Sequence, residues 1–186
     1  DMLMQTLRAY AARELKPDPE DKNVSPDEMA EYVRRKGLGA IVRVNGTLDG
    51  LRRLLAVGVP VIVETWFVPE PGDEMGHYRV LVGYDEAAGG FLADDSYNGP
   101  GVVLPYDRFD EAWRVFNRVH VVIFPPAFER EVRSLLGDDD ERRMYLGAVG
   151  TAQSELVRRA DAFGYFNLGS SLLGLGDPAG AADAYD

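Results

Sequence analysis

The sequence predicts an α+β fold in which helices and one short strand come first, a run of antiparallel strands follows, and an all-helical extension closes the chain. Helix signals with clear start and stop residues dominate up to Ala56. From Val59 to Phe124 the segments are rich in β-branched and aromatic residues and are parted by short turns. After Pro125-Pro126 no strand pattern recurs.

Leu3, Leu7, Tyr10 and Ala11 fall at helical spacing, so Met2 to Leu15 is predicted to be a buried helix. Lys16 to Asn23, with Pro17, Pro19 and a run of charges, reads as a surface connection. Ser25-Pro26-Asp27-Glu28 then supplies an N-cap, a proline at the first helical position and a glutamate three residues on, which predicts a helix to about Lys36 stopped by Gly37. Ala40 to Val44 is a strand closed by the Asn45-Gly46 turn, and Thr47 caps a helix from Leu48 to Ala56 whose leucines form one stripe. Val59 to Phe67, His77 to Tyr84 and Phe91 to Asp94 are the next strands, joined by the polar loop Pro69 to Gly76 and the turn Glu86 to Gly90. Tyr97 to Gly101 reads as a loop. Asp107 is the expected cap of a helix carrying Phe109, Trp113 and Phe116, and Val119 to Phe124 is the last strand.

Beyond Pro126, Met144, Ala148, Ala152 and Leu156 repeat every four residues along a helical face. Tyr165, Leu168, Gly169, Leu172, Leu175, Gly176, Ala181 and Tyr185 then match the small and large positions of a tetratricopeptide repeat, with two helices meeting at Gly169 and a turn at Gly176-Asp177. Asp1 lies inside a helical pattern and the repeat stops short, so sequence is expected beyond both ends.

With 186 residues, 46% hydrophobic, the chain can bury a sizeable core. Its 31 acidic against 20 basic residues give a net charge of −11, which repels phosphate backbones and anionic membrane surfaces and argues against a nucleic-acid partner. No apolar run reaches the roughly 20 residues of a membrane span. Zero cysteines exclude disulfides and thiolate metal sites within the chain.

The chemistry concentrates on His77, at the mouth of an apolar strand after Gly76, and on the aspartates that end the next strand. Asp94 and Asp95 could simply open a turn. One of them could instead accept the His77 ring N–H, fixing the tautomer and stabilising an imidazolium. Strand alternation puts the two on opposite faces, so only one can reach His77, and Asp95 is the preferred one. Trp66, Asp94 and Tyr97 are candidates to line a cleft around this pair. Glu64 is either buried or an exposed strand residue, and His120, among valines, is expected to be structural. No cofactor is implied: the chain lacks metal-ligand spacing, a phosphate loop and a Gly-x-Ser-x-Gly elbow.

The segment Gly76-His77-Tyr78-Arg79-Val80-Leu81-Val82-Gly83-Tyr84-Asp85, with Phe91-Leu92-Ala93-Asp94-Asp95-Ser96 behind it, resembles cysteine peptidase family thirty-nine and its peptidase-like relatives. In that family a histidine opens such a strand, and an aspartate, usually followed by proline, ends the next; here Asp95-Ser96 holds that place. The resemblance spans about residues 1 to 125 and implies a papain-like fold of N-terminal helices and an antiparallel sheet. It also implies a Cys-His-Asp site, with His77 as base, Asp95 as its orienting group, and a peptide or protein as substrate. Leu3 to Tyr10 resembles the body of the family's nucleophile helix, which places the cysteine and an oxyanion-hole glutamine before Asp1, and the Tyr10-Ala11 join is short for the family. Lys16 to Pro26 resembles a branch that carries tetratricopeptide repeats behind the peptidase-like domain. The expected organisation is therefore a peptidase-like domain at 1–125, a helical linker at 126–160 and a partial repeat at 161–186 that recruits a protein partner. Three functions compete: a cysteine peptidase, a catalytically inactive peptide- or protein-binding module, and a scaffold in which the repeats alone act.

Overall fold

The computed structural model describes residues 23–137 and 140–186. The helix expected at Met2–Leu15, the Tyr10-Ala11 join and nearly all of the connection that follows lie outside the described residues.

The described chain opens with α1 (Pro26–Arg35). Its start is the expected capping box: Ser25 Oγ accepts from the Glu28 amide and Glu28 returns a bond to the Ser25 amide. Strand β1 (Gly39–Arg43) leads through Asn45, in the left-handed region at φ 56°, into α2 (Leu48–Ala56), capped by Thr47. Strands β2 (Val61–Phe67), β3 (Met75–Asp85), β4 (Gly90–Asp95) and β5 (Gly99–Pro105) form successive antiparallel pairs. Helix α3 (Tyr106–Arg114) then leads to β6 (His120–Phe124), which returns between β1 and β2. The sheet is six-stranded and antiparallel throughout, in the order β1-β6-β2-β3-β4-β5.

Both sheet faces are covered. On one, Val61, Val63, Leu81, Phe91, Ala93, Val122 and Phe124 pack with Leu51, Leu54 and Leu55 of α2 and with Phe109 and Trp113 of α3. On the other, Ala40, Ile62 and Val121 meet Met29, Ala30 and Val33 of α1. Each fully buried large side chain contributes roughly 1.5–3 kcal/mol of transfer free energy, so the sheet is a rigid platform for what its open end carries.

Two expectations are corrected. The loop expected at Tyr97–Gly101 is in part strand: Gly99-Pro100-Gly101 looks like a turn, but cross-strand bonds to β4 draw it into β5, and both glycines have positive φ, 93° and 73°. Asp107 is not the cap of α3. Pro105 holds that position without a side-chain bond, Asp107 sits in the first turn where the helix dipole favours it, and Phe116 lies past the helix end.

After a short 3₁₀ turn (Pro126–Phe128), helices α4 (Glu129–Leu136), α5 (Glu141–Arg158), α6 (Ala162–Gly174) and α7 (Pro178–Tyr185) follow. Asp140, Asp161 and Asp177 cap α5, α6 and α7. Helices α6 and α7 meet at Gly169, where an added Cβ would lie 2.4 Å from the Tyr185 ring. This tail is fastened to the turn between α3 and β6. Asn167 Nδ2 donates to the Arg114 carbonyl at 2.7 Å, Asn117 Nδ2 to Ser171 Oγ at 2.9 Å, Arg114 to Asp161 at 2.7 Å and Arg118 to Glu155 at 2.8 Å. Asn117 and Arg118 are both left-handed, at φ 52° and 48°, a strain that this network holds in place. Among the described residues no helix is long and apolar enough to cross a membrane.

Candidate active site

The site grows out of the strand register. Val63 stands opposite Arg79, Thr65 opposite His77 and Phe67 opposite Met75 across the β2–β3 pair, while Arg79 stands opposite Asp95 across β3–β4. Because side chains alternate, these residues share the face that carries Val61, Val63 and Leu81 further in. One face is thus apolar at its middle and polar at its end, then apolar again at the rim.

His77 Nε2 lies 3.0 Å from Asp95 Oδ1. The Asp95 side chain is fully buried, whereas His77 keeps 13% of its side-chain surface exposed, so only the histidine can meet a substrate or partner. Asp95 Oδ1 also accepts from the amides of Tyr97 at 2.7 Å and Asn98 at 2.9 Å, and Oδ2 accepts from Asn98 Nδ2 at 3.2 Å and Arg79 Nε at 2.6 Å. The same aspartate therefore both opens a turn and faces the histidine. Burial works to raise its carboxyl, but the Asn98 amide, the His77 ring and the Tyr97 amide outweigh that and hold it well below the usual carboxylate range. An ionised Asp95 can only accept, so His77 Nε2 is the donor, and among the described residues Nδ1 makes no hydrogen bond.

The ring is also held from its face. Phe67 stacks on His77 with centroids 4.6 Å apart, and Tyr97 meets Phe67 edge-on at 5.2 Å. Arg79, itself buried, carries its guanidinium 5.1 Å over the same Phe67 ring and donates to Thr65 Oγ1.

Of the expected cleft residues, Tyr97 lies beside this stack and is 63% exposed. Asp94 points away and accepts from the Gly101 amide. Trp66, on the other side of β2 from Phe67, packs instead against Phe116 and Phe163. Glu64 is half-buried on that side; burial raises its carboxyl, and a hydrogen bond with Tyr78 opposes the rise. His120 is buried, donates from Nδ1 to the Arg118 carbonyl at 3.1 Å, and is lowered to about 4 by burial, which leaves it neutral near pH 7. Among the described residues no group of three or more His, Cys, Asp or Glu is placed to hold a metal ion.

Arg79, Thr65, Phe67 and Asn98 surround the pair but are not marked by motif reasoning. A signal exists for Arg79: a charge two residues from His77, between Tyr78 and the apolar run Val80-Leu81-Val82, lies on the histidine's face and, if buried, must find an anion.

Comparison with known proteins adds a family. Residues 6–121 match the model of the Peptidase C39-like family. A solved structure described as a C39-like peptidase from Bacillus anthracis shares 18% identity at a TM-score of 0.44, over 54% of this chain and 59% of that one. The chain thus spans less than two thirds of that protein. No curated protein matches the chain.

Proposed function

Because the chain belongs to the Peptidase C39-like family, we propose that His77 and Asp95 are the base and the orienting carboxylate of a peptide- or amide-hydrolysing Cys-His-Asp site. The single observation that carries this reading is the 3.0 Å contact from the partly exposed His77 ring to the sealed Asp95 carboxylate. With Nε2 held by Asp95, Nδ1 takes the proton of a thiol; the thiolate attacks the carbonyl carbon, and the imidazolium returns the proton from Nδ1 to the leaving amine. Asp95 stays ionised throughout and steadies the imidazolium. The nucleophile is not among these 186 residues, which hold no cysteine.

A second reading, a catalytically inactive member that uses the partly exposed His77 ring and the exposed Tyr97 beside it to bind a peptide, rests on the same geometry. The sequence of the natural gene around the codon for Asp1 separates the two: a cysteine followed by glycine and proline a few positions before it supports the enzyme, and any other residue there ends it. If the thiol is present, iodoacetamide labelling of the natural protein should slow at least tenfold in His77→Ala. Equal labelling rates in the two proteins would remove His77 as the base.

We also propose the division into a peptidase-like domain at 1–125, a helical linker at 126–160 and a repeat-like hairpin at 161–186. The close approach at Gly169 supports that hairpin, and Tyr165, Phe166 and Leu173 leave apolar surface exposed for a protein partner.

A further inference from the structure

We infer that Arg79 is the positioning residue of the His77–Asp95 pair: a single buried guanidinium holds both supports of the histidine ring, the carboxylate in its plane and the phenyl ring on its face.

The in-plane support comes from Asp95. Its Oδ1 serves His77 and the Tyr97 and Asn98 amides, while Arg79 Nε takes Oδ2 at 2.6 Å. A carboxylate gripped on one oxygen by a charged planar donor cannot rotate the other oxygen out of the imidazole plane. The face support comes from Phe67, which lies against the His77 ring on one contact and under the Arg79 guanidinium on another. Thr65 Oγ1, on the strand residue directly opposite His77, accepts from Arg79 Nη1 and anchors the fork. Register makes all of this possible: Arg79 is two residues from His77 on the same face and directly opposite Asp95.

The arrangement also sets the charge around the ring. Among the described residues Asp95 and Arg79 are the charged groups in contact with the His77 assembly, and they neutralise one another. Tyr97 adds a phenol by way of Phe67, and Glu64 and Tyr78 keep their mutual bond on the opposite side of the sheet.

The test is nitrogen-15 and proton NMR of the histidine rings in the 186-residue chain, with buried His120 as the internal control. This inference rests on the proposed role of His77 for its purpose, but its readouts need no peptidase activity; labelling that ignores His77 would end the peptidase reading and leave them unchanged. In the wild type, His77 should show a protonated Nε2 and a bare Nδ1. In Arg79→Met the Nε2 proton should exchange roughly tenfold faster. Arg79→Lys, which restores charge without the fork, should not recover the slow exchange. A folded Arg79→Met with His77 exchange unchanged would overturn the proposal. Should Arg79→Met not fold, Thr65→Val decides it: roughly threefold faster exchange at His77 supports the anchor, and wild-type exchange refutes it.

Discussion

The molecule holds two buried polar assemblies built from the same residue types, and they differ in what they leave open. At the end of β3, His77 meets a carboxylate, Arg79 neutralises that carboxylate, and one edge of the imidazole reaches solvent. At the turn between α3 and β6, His120 meets a carbonyl and is closed in by Trp113, while Arg114 and Arg118 pair with Asp110, Glu155 and Asp161 and fasten the tail. For Arg118, burial works to lower the guanidinium, but Asp110 and Glu155 more than reverse it. Buried charge alone thus does not mark a site. The distinguishing feature is a ring with one nitrogen fixed by a buried carboxylate while part of its surface stays exposed.

The largest expected effect falls on the closed carboxylate of the first assembly. Asp95→Ala strands the buried Arg79 and the Tyr97 and Asn98 amides, and should destabilise the chain by about 3–5 kcal/mol in urea unfolding; a loss under 1 kcal/mol would show that Arg79 finds water. The pH dependence follows in sign. A depressed folded-state value means that the Asp95 contribution is complete above about pH 4 and is lost as pH falls toward the much lower folded midpoint.

Next is the closed histidine of the second assembly. His120 is lowered to about 4 in the fold, against an ordinary value near 6.5. Its contribution is whole above pH 6.5 and is lost as pH falls through the interval down to about 4, on the order of 3 kcal/mol. His120→Gln should flatten that part of a stability–pH curve, and a curve with the same slope in the variant would assign the dependence elsewhere.

The tail junction should respond less. Arg118→Met removes its pairs with Asp110 and Glu155, but both carboxylates keep some contact with solvent, so about 1–2 kcal/mol is expected. Limited proteolysis should then cut in the α5–α7 tail before the sheet. Smallest is His77→Gln, at about 1 kcal/mol or less in the same unfolding assay, because the ring is partly exposed and Asp95 keeps its bonds to Arg79, Tyr97 and Asn98. A loss approaching that of Asp95→Ala would make His77 a structural residue like His120 and erase the contrast between the two assemblies.

Much of this was legible in the sequence because it is local. Ser25-Pro26-Asp27-Glu28 writes its own capping box, Thr47 its own cap, and Asn45-Gly46 its own turn. The aspartate that meets His77 could be narrowed to one of two by the period of a strand alone, since neighbours must face opposite ways. Strand β5 was hidden because Gly99-Pro100-Gly101 has the local preferences of a turn, and only its partner β4 makes it extended.

What the sequence determined by itself, then, is the α+β order, the capped starts of α1 and α2 and the two strand ends that carry His77 and Asp95, because each depends on residues within one turn or one strand period. Only the tertiary structure decided that Arg79 stands across from Asp95 and above Phe67, and that Asn167, Ser171 and Asp161 close over the α3–β6 turn. Those are bonds between polar residues far apart in the chain. Burial gives them their strength, and burial exists only once the sheet and its helices have packed.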